Sequence, residues 1–281
     1  MKLKYIVAAL GLVASASSFA AILVPNTPGG GELFLVVYEQ NAPNGGLDQS
    51  FTLDLGITTS KFIASNTTAQ TWATLDASTN SDWSSFLSTS DLGSLQFAVM
   101  GSQVTSSSAT QNGASTVFST VTIGKEGSVV GAAAAAQTSN GQLSTMIDGT
   151  LTTGYTSYVT NTGTHLTQDN GQSVNAIGTN AYFQQTNMAA FNSQLKFTNN
   201  NAVGSAPVEF TSLYRNSIQA GSAKALQYVE PLMVSFVQTG SQYVLNYGSS
   251  AVAAVPEASG FAMALAGFGL LGFASVRRKQ K

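Results

Sequence analysis

The sequence predicts a mainly β body, an antiparallel sandwich-like arrangement with a few helices, held between two membrane-directed ends. Three observations carry this. Apolar runs of strand length recur between Gly-, Asn- and Ser-rich turns. Ser, Thr, Asn and Gln supply 95 of the 235 residues from 21 to 255, so polarity comes from hydroxyls and amides, which suit pleated sheet and turns. Charged residues are only 9% of the 281-residue chain against 43% hydrophobic, and six of the eleven cations sit at the extreme ends.

In chain order, Lys2 and Lys4 precede an apolar run from Tyr5 to Val13 and then small residues ending Ser18-Phe19-Ala20. This is the pattern of a secretory signal peptide over 1–20. Ser18 and Ala20 are the positions that signal peptidase reads, with cleavage after Ala20. The run is shorter than the roughly 20 residues that span a bilayer permanently.

The β-rich extracytoplasmic domain is expected over 21–247. Leu33 to Tyr38, the Asn44-Gly45-Gly46 turn and Phe51 to Leu55 read as a hairpin. Further strands are expected at Leu95 to Met100, Val117 to Ile123, Ser128 to Val130, Val208 to Tyr214, Met233 to Val237 and Tyr243 to Tyr247. Helical spacing marks Asp82 to Leu87, Ala132 to Ala136 and Gln142 to Tyr158, the last through Leu143, Met146, Ile147 and Leu151. Gln184 to Leu195 and Ile218 to Val229 are weaker helix candidates. Residues 248–254, without charge or bulky pattern, read as a linker.

Much chemistry is excluded at once. With no cysteine there is no disulfide, thiolate nucleophile or thiolate metal site. The single histidine, His165, leaves a Ser-His-Asp arrangement only if it is the base, and its setting reads as a solvent-facing loop or strand. The twelve carboxylates between 21 and 255 are scattered singly, several at turn or cap positions: Asp82 is expected to cap its helix, and Asp169-Asn170-Gly171 is turn chemistry. Twelve carboxylates against five cations disfavour nucleic acid as a partner. No catalytic residue, metal site or cofactor is expected. Trp72, Trp83 and the tyrosines at 155, 158, 182, 214, 228, 243 and 247 would serve either a sugar-stacking face or the core, and the core is preferred.

The C-terminal segment 255–281 has three parts: Val255-Pro256-Glu257-Ala258, an uncharged run from Phe261 to Val276, and the basic stop Arg277, Arg278, Lys279 and Lys281. The run is near the length of one transmembrane helix, and the cations hold the last residues on the cytoplasmic side. In this order the parts resemble the PEP-CTERM sorting signal of exported proteins in Gram-negative bacteria that make exopolysaccharide. The departure is Ala258, where the commonest version has a second proline. The segments Glu32 to Tyr38 and Phe51 to Ile57 also resemble uncharacterised proteins of that group.

The resemblance implies two processing partners, signal peptidase and exosortase, with catalysis belonging to the latter. It implies export across the inner membrane, transient anchoring by the C-terminal helix, and a final place at the cell surface or outside the cell. The expected function is therefore that of a non-enzymatic surface or extracellular-matrix protein of the biofilm, associated with exopolysaccharide. The alternative is a secreted glycan-binding or glycan-cleaving protein that uses the same route. Heavy O-glycosylation of the Ser/Thr clusters is a third reading.

Overall fold

The computed structural model describes residues 22–27, 29–39, 48–105, 114–121, 138–168, 170–183, 201–217 and 220–250. Ser18, Ala20, the motif at 255–258 and the basic stop lie outside them, as do the expected strand at 128–130 and the expected helices at 132–136 and 184–195. Among the described residues no helix is long and apolar enough to cross a membrane.

The body is mainly β and antiparallel, as the alternation predicts. It is, however, one curled sheet and not the two stacked sheets of a sandwich. Strands β1 (Glu32–Tyr38), β2 (Gln49–Thr58), β3 (Gln70–Asp76), β4 (Gln96–Val104), β5 (Ser115–Val121), β6 (Gln172–Ala176), β7 (Asn201–Ala202), β8 (Val208–Tyr214), β9 (Leu226–Thr239) and β10 (Gln242–Ser250) all belong to it. Their order is β3-β10-β9-β8-β5-β4-β1-β2-β6, with β7 beside β4. The hairpin pairing of β1 with β2 is as expected.

The reason for one sheet lies in β1. All seven of its residues are buried, because Leu33, Leu35 and Val37 enter one core cluster while Phe34, Val36 and Tyr38 enter another. A strand buried on both faces reads as a continuous apolar run. Inside the curl, the sheet wraps around two short helices, α1 (Thr59–Ser65) and α2 (Ser81–Thr89). Phe62 of α1 meets the rings of Trp72, Phe118, Phe210 and Tyr247, which come from β3, β5, β8 and β10. Trp83 and Phe86 of α2 pack on Phe51 of β2, and Trp83 also meets Tyr243 of β10. The curl supplies the cover that a second sheet would give.

The outer face is covered by one helical run, α3 (Asn140–Thr145), a π segment π1 (Met146–Tyr155) and α4 (Thr156–Thr160). Leu143, Met146, Ile147 and Leu151, the residues whose spacing marks this helix in the sequence, are all buried against the sheet, with Tyr155 and Val159. A capping box formed by Ser139 and Gln142 opens α3. The hydroxyl of Thr152 donates to the Ile147 carbonyl at 2.7 Å, five residues back, which reinforces the wider π turn.

Three local expectations are corrected. Asn80, not Asp82, caps α2, its side chain accepting from the Trp83 N–H at 2.9 Å. Ile218 to Val229 does not form a helix where described: a turn precedes β9, which starts at Leu226. The physical reason is pairing, since residues 226–229 lie opposite 211–214 of β8; Pro231 follows where residues 230–232 oppose the single residue 210, an irregularity at which a missing N–H is tolerated. Finally, β10 runs to Ser250, through the first residues expected to be linker.

Candidate functional site

Adjacent strands place the site. In the β2–β6 ladder Thr52 opposes Ser173 and Leu53 opposes Gln172. Alternation therefore sends Leu53 and Gln172 to the inner side and Thr52, Asp54 and Ser173 to the outer side. The chain between α4 and β6 folds back over that outer patch as a turn-rich loop, 161–168, and delivers His165. The loop is stitched to β6 by the Thr164 N–H donating to the Gln172 carbonyl at 2.8 Å, and by the Gln172 N–H donating to the Thr164 hydroxyl at 3.0 Å.

His165 is fully buried, with 0% exposure. This corrects the expectation of a solvent-facing histidine. Its Nδ1 lies 3.0 Å from both carboxylate oxygens of Asp54, and its Nε2 lies 3.0 Å from the Ser173 Oγ. The Asn175 amide donates to the same Oγ at 2.9 Å. The Ser173 hydroxyl, with one proton and two lone pairs, thus meets both the Asn175 amide and the imidazole Nε2.

Gly171 makes the approach possible, since a Cβ there would come within 2.4 Å of the His165 Cα and 3.0 Å of an Asp54 carboxylate oxygen. The Gly171 carbonyl accepts from the Asp54 N–H at 2.9 Å.

A second carboxylate joins from β1. Glu32 lies two residues before Phe34, which opposes Asp54, so both acids share the outer face of neighbouring strands. Glu32 is 5% exposed and accepts from the Leu23 N–H at 3.4 Å. Burial, and next the Asp54 charge, push its carboxyl up to about 7. Burial also raises Asp54, against the pull of His165. Beside them the hydroxyls of Thr52 and Tyr155 lie 2.6 Å apart, and burial holds the Tyr155 phenol above its ordinary range.

Asp54, His165 and Ser173 thus stand in the order that acyl transfer uses, carboxylate, imidazole, hydroxyl. A nucleophile must also meet its substrate, and Ser173 is only 1% exposed. A cleft of about 560 Å³ between β2 and the free edge of β3 is lined by Asp54 together with Leu53, Trp72 and Gln172, but not by Ser173 or His165. All three side chains are buried and hydrogen-bonded to one another.

Besides Asp54 and the apolar Leu53, Leu55, Trp72 and Leu75, the cleft walls are amides and hydroxyls, among them Thr74, Asn80, Ser81, Gln168, Asn170 and Gln172. Asn80 and Gln172 exchange two amide hydrogen bonds, at 2.7 and 2.9 Å, and so tie the start of α2 to β6. Trp72 and Trp83 belong to the aromatic core and not to a stacking face, as preferred from the sequence. Among the described residues, no group of three or more His, Asp or Glu side chains is arranged to hold a metal ion.

No local sequence signal announces the buried trio. Its members are 111 and 8 residues apart and meet only through the β2–β6 register. The one available clue was parity: in the run Phe51 to Leu55, Asp54 falls on the face opposite the apolar residues. No protein family, curated protein or solved structure matches the chain.

Proposed function

We propose that the chain is an exported, non-enzymatic protein of the cell surface or extracellular matrix, processed by signal peptidase and exosortase and associated with exopolysaccharide. The observation that carries this reading is the ordered set of sorting features: Lys2 and Lys4 before an apolar run, Ser18 and Ala20, then Pro256-Glu257, one uncharged span and the Arg277-Arg278-Lys279 tail. The body supports it with an uncharged, hydroxyl-rich composition and with a serine sealed away from substrate. Peptide-mapping mass spectrometry of the native protein, from membrane and medium fractions of cells with and without exosortase, is the test. Mature chains should begin at Ala21 and lack everything from about Phe261 onward only when exosortase is present. A basic tail that persists in normal cells would make this a permanently anchored protein and remove the matrix reading.

A glycan-binding role is the second reading, favoured by the cleft beside β3, whose amide and hydroxyl walls suit a neutral polyhydroxylated chain. Saturable binding on an array of bacterial polysaccharides, lost on Thr74→Arg, supports it. Uniform absence of binding removes it.

A further inference from the structure

Beside the aromatic core, the inner face of the curl turns polar. The register across β4, β5, β8 and β9 sets these residues in rows: Gln103 opposes Thr116 and Thr116 opposes Tyr214, while Phe118 opposes Ser212 and Ser212 opposes Tyr228. Phe118 belongs to the inner core cluster, so both rows share its face. With Ile63 and Asn66 of α1 they line a hollow of about 250 Å³, and Glu230 of β9 stands in its wall.

The polar groups of this hollow are held in place. Glu230 is 5% exposed, and its carboxylate accepts from the Asn66 amide at 2.9 Å and from the Ser212 hydroxyl at 3.0 Å, one bond to each oxygen. Asn66 is pinned in turn, its carbonyl accepting from the Tyr247 hydroxyl at 2.6 Å. A carboxylate offers about four acceptor sites, so each oxygen keeps capacity for a further donor. No cation stands among the described residues that line the hollow, which disfavours an anionic guest. Ile63 and Tyr228 are 46% and 48% exposed, and they add an aliphatic and an aromatic surface beside the amides and hydroxyls.

A buried acceptor, fixed amides and hydroxyls, and a half-exposed ring make a set that suits a sugar ring, whose hydroxyls meet the polar groups while its C–H face packs on the aromatic. An alkylammonium ion would satisfy Glu230 but leave the Thr116 and Tyr214 hydroxyls and the Gln103 amide without a role. We propose that this hollow between α1 and strands β8 and β9 binds one neutral hexopyranose unit of a polysaccharide, with Glu230 accepting from sugar hydroxyls and Tyr228 packing on the ring. The site shares no lining residue with the cleft beside β3, and it stands whether or not exosortase processes the chain.

Saturation-transfer NMR of the full chain tests this, with glucose, galactose, mannose and their tetrasaccharides as probes. At least one should bind, with saturation strongest on its ring C–H protons. Tyr228→Ala, at a half-exposed position, should weaken binding roughly tenfold and leave the melting temperature unchanged. Glu230→Gln exchanges a charge-assisted acceptor for a neutral one and should weaken binding comparably. Thr74→Arg, in the cleft beside β3, should have no effect, which separates this site from the glycan reading of that cleft. Absence of binding by every probe, full binding retained by either variant in folded form, or preferential binding of butylammonium overturns the site.

Discussion

The two faces of the β1–β2 hairpin are equally buried but differ in chemistry, one apolar throughout and the other part apolar, part polar. Toward the inside of the curl stand Leu33, Leu35, Val37, Phe51, Leu53 and Leu55, all in the aromatic-rich core. Toward the outside β1 presents Phe34, Val36 and Tyr38 to the covering helix, and beside them the two strands bury Glu32, Ser50, Thr52 and Asp54, each at most 5% exposed. Burial alone therefore does not make a residue apolar. The inner face is stabilised by area removed from water and by ring packing, which have no pH dependence. Its outer counterpart exists because each polar group has found a partner: Thr52 on Tyr155, Ser50 on the Phe183 N–H, Asp54 on His165 and Glu32 on the Leu23 N–H. Such a network is stable while complete and vulnerable to the loss of any member.

Breaking the inner face should give the largest effect. Phe62 sits 5.2 to 6.0 Å from four other rings at the centre of the curl. Phe62→Ala leaves a cavity that those rings, on four different strands, cannot jointly fill, and should cost about 3–5 kcal/mol at any pH. Urea unfolding measures it. A loss below about 1 kcal/mol would mean that the aromatic cluster relaxes freely and is not the mainstay of the fold.

The outer face should respond to pH instead. Glu32 rises from an ordinary 4.5 to about 7 in the folded state. The native protein therefore binds more protons than the unfolded chain between these values, and stability from this group is full below about 4.5 and lost as pH climbs through about 7. Glu32→Gln should remove that slope, with a gain over the parent on the order of 2–3 kcal/mol at pH 8 and little change at pH 5. Parallel melting curves for the two proteins at both pH values would contradict the assignment. Phe62→Ala, by contrast, should shift both curves alike.

A smaller, steric break separates the network from its charge. Gly171→Ala drives a methyl group against the His165 backbone, and should cost roughly 1–3 kcal/mol as overpacking does, without altering the pH slope that Glu32 sets. Thermal unfolding at two pH values distinguishes the effects: a slope lost with Gly171→Ala would show that the imidazole position and the Glu32 titration are inseparable.

The apolar packing of both faces was legible in the sequence, and the buried polar patch on the outer one was not. Leu33 to Tyr38 and Phe51 to Leu55 announce a hairpin through apolar content, and Leu143, Met146, Ile147 and Leu151 announce the covering helix through spacing. These signals are local, since each strand or helix carries its own period. Strands β3 and β6 escaped because Gln70–Asp76 and Gln172–Ala176 are edge strands rich in polar residues, whose identity is set by their neighbours. With β6 went the site, because without its register nothing places Ser173 near Asp54. The sandwich expectation failed similarly: strand count is a property of sequence, whereas closure of one sheet around α1 and α2 depends on long-range contacts such as Phe62 with Tyr247.

The smallest effect probes the seam where the two faces meet. Asn80 both caps α2, through the Trp83 N–H, and pairs with Gln172 of β6. Loss of a cap costs about 1 kcal/mol, whereas a half-exposed amide pair contributes a few tenths to about 1 kcal/mol. Asn80→Asp keeps the cap but loses the amide donor that reaches the Gln172 carbonyl oxygen, while Gln172→Ala removes the pair and the weaker Gln172 bond to Asp82 at 3.3 Å but leaves the cap. If α2 is anchored mainly from within its own helix, Asn80→Asp should be nearly neutral and Asn80→Ala should cost about 1 kcal/mol. If the seam to β6 matters as much, Asn80→Asp and Gln172→Ala should each cost as much as Asn80→Ala, and a double-mutant cycle between positions 80 and 172 should show a coupling of at least about 0.5 kcal/mol. That second outcome would make β6, and with it the Ser173 side of the buried network, answerable to a helix on the opposite face of the sheet.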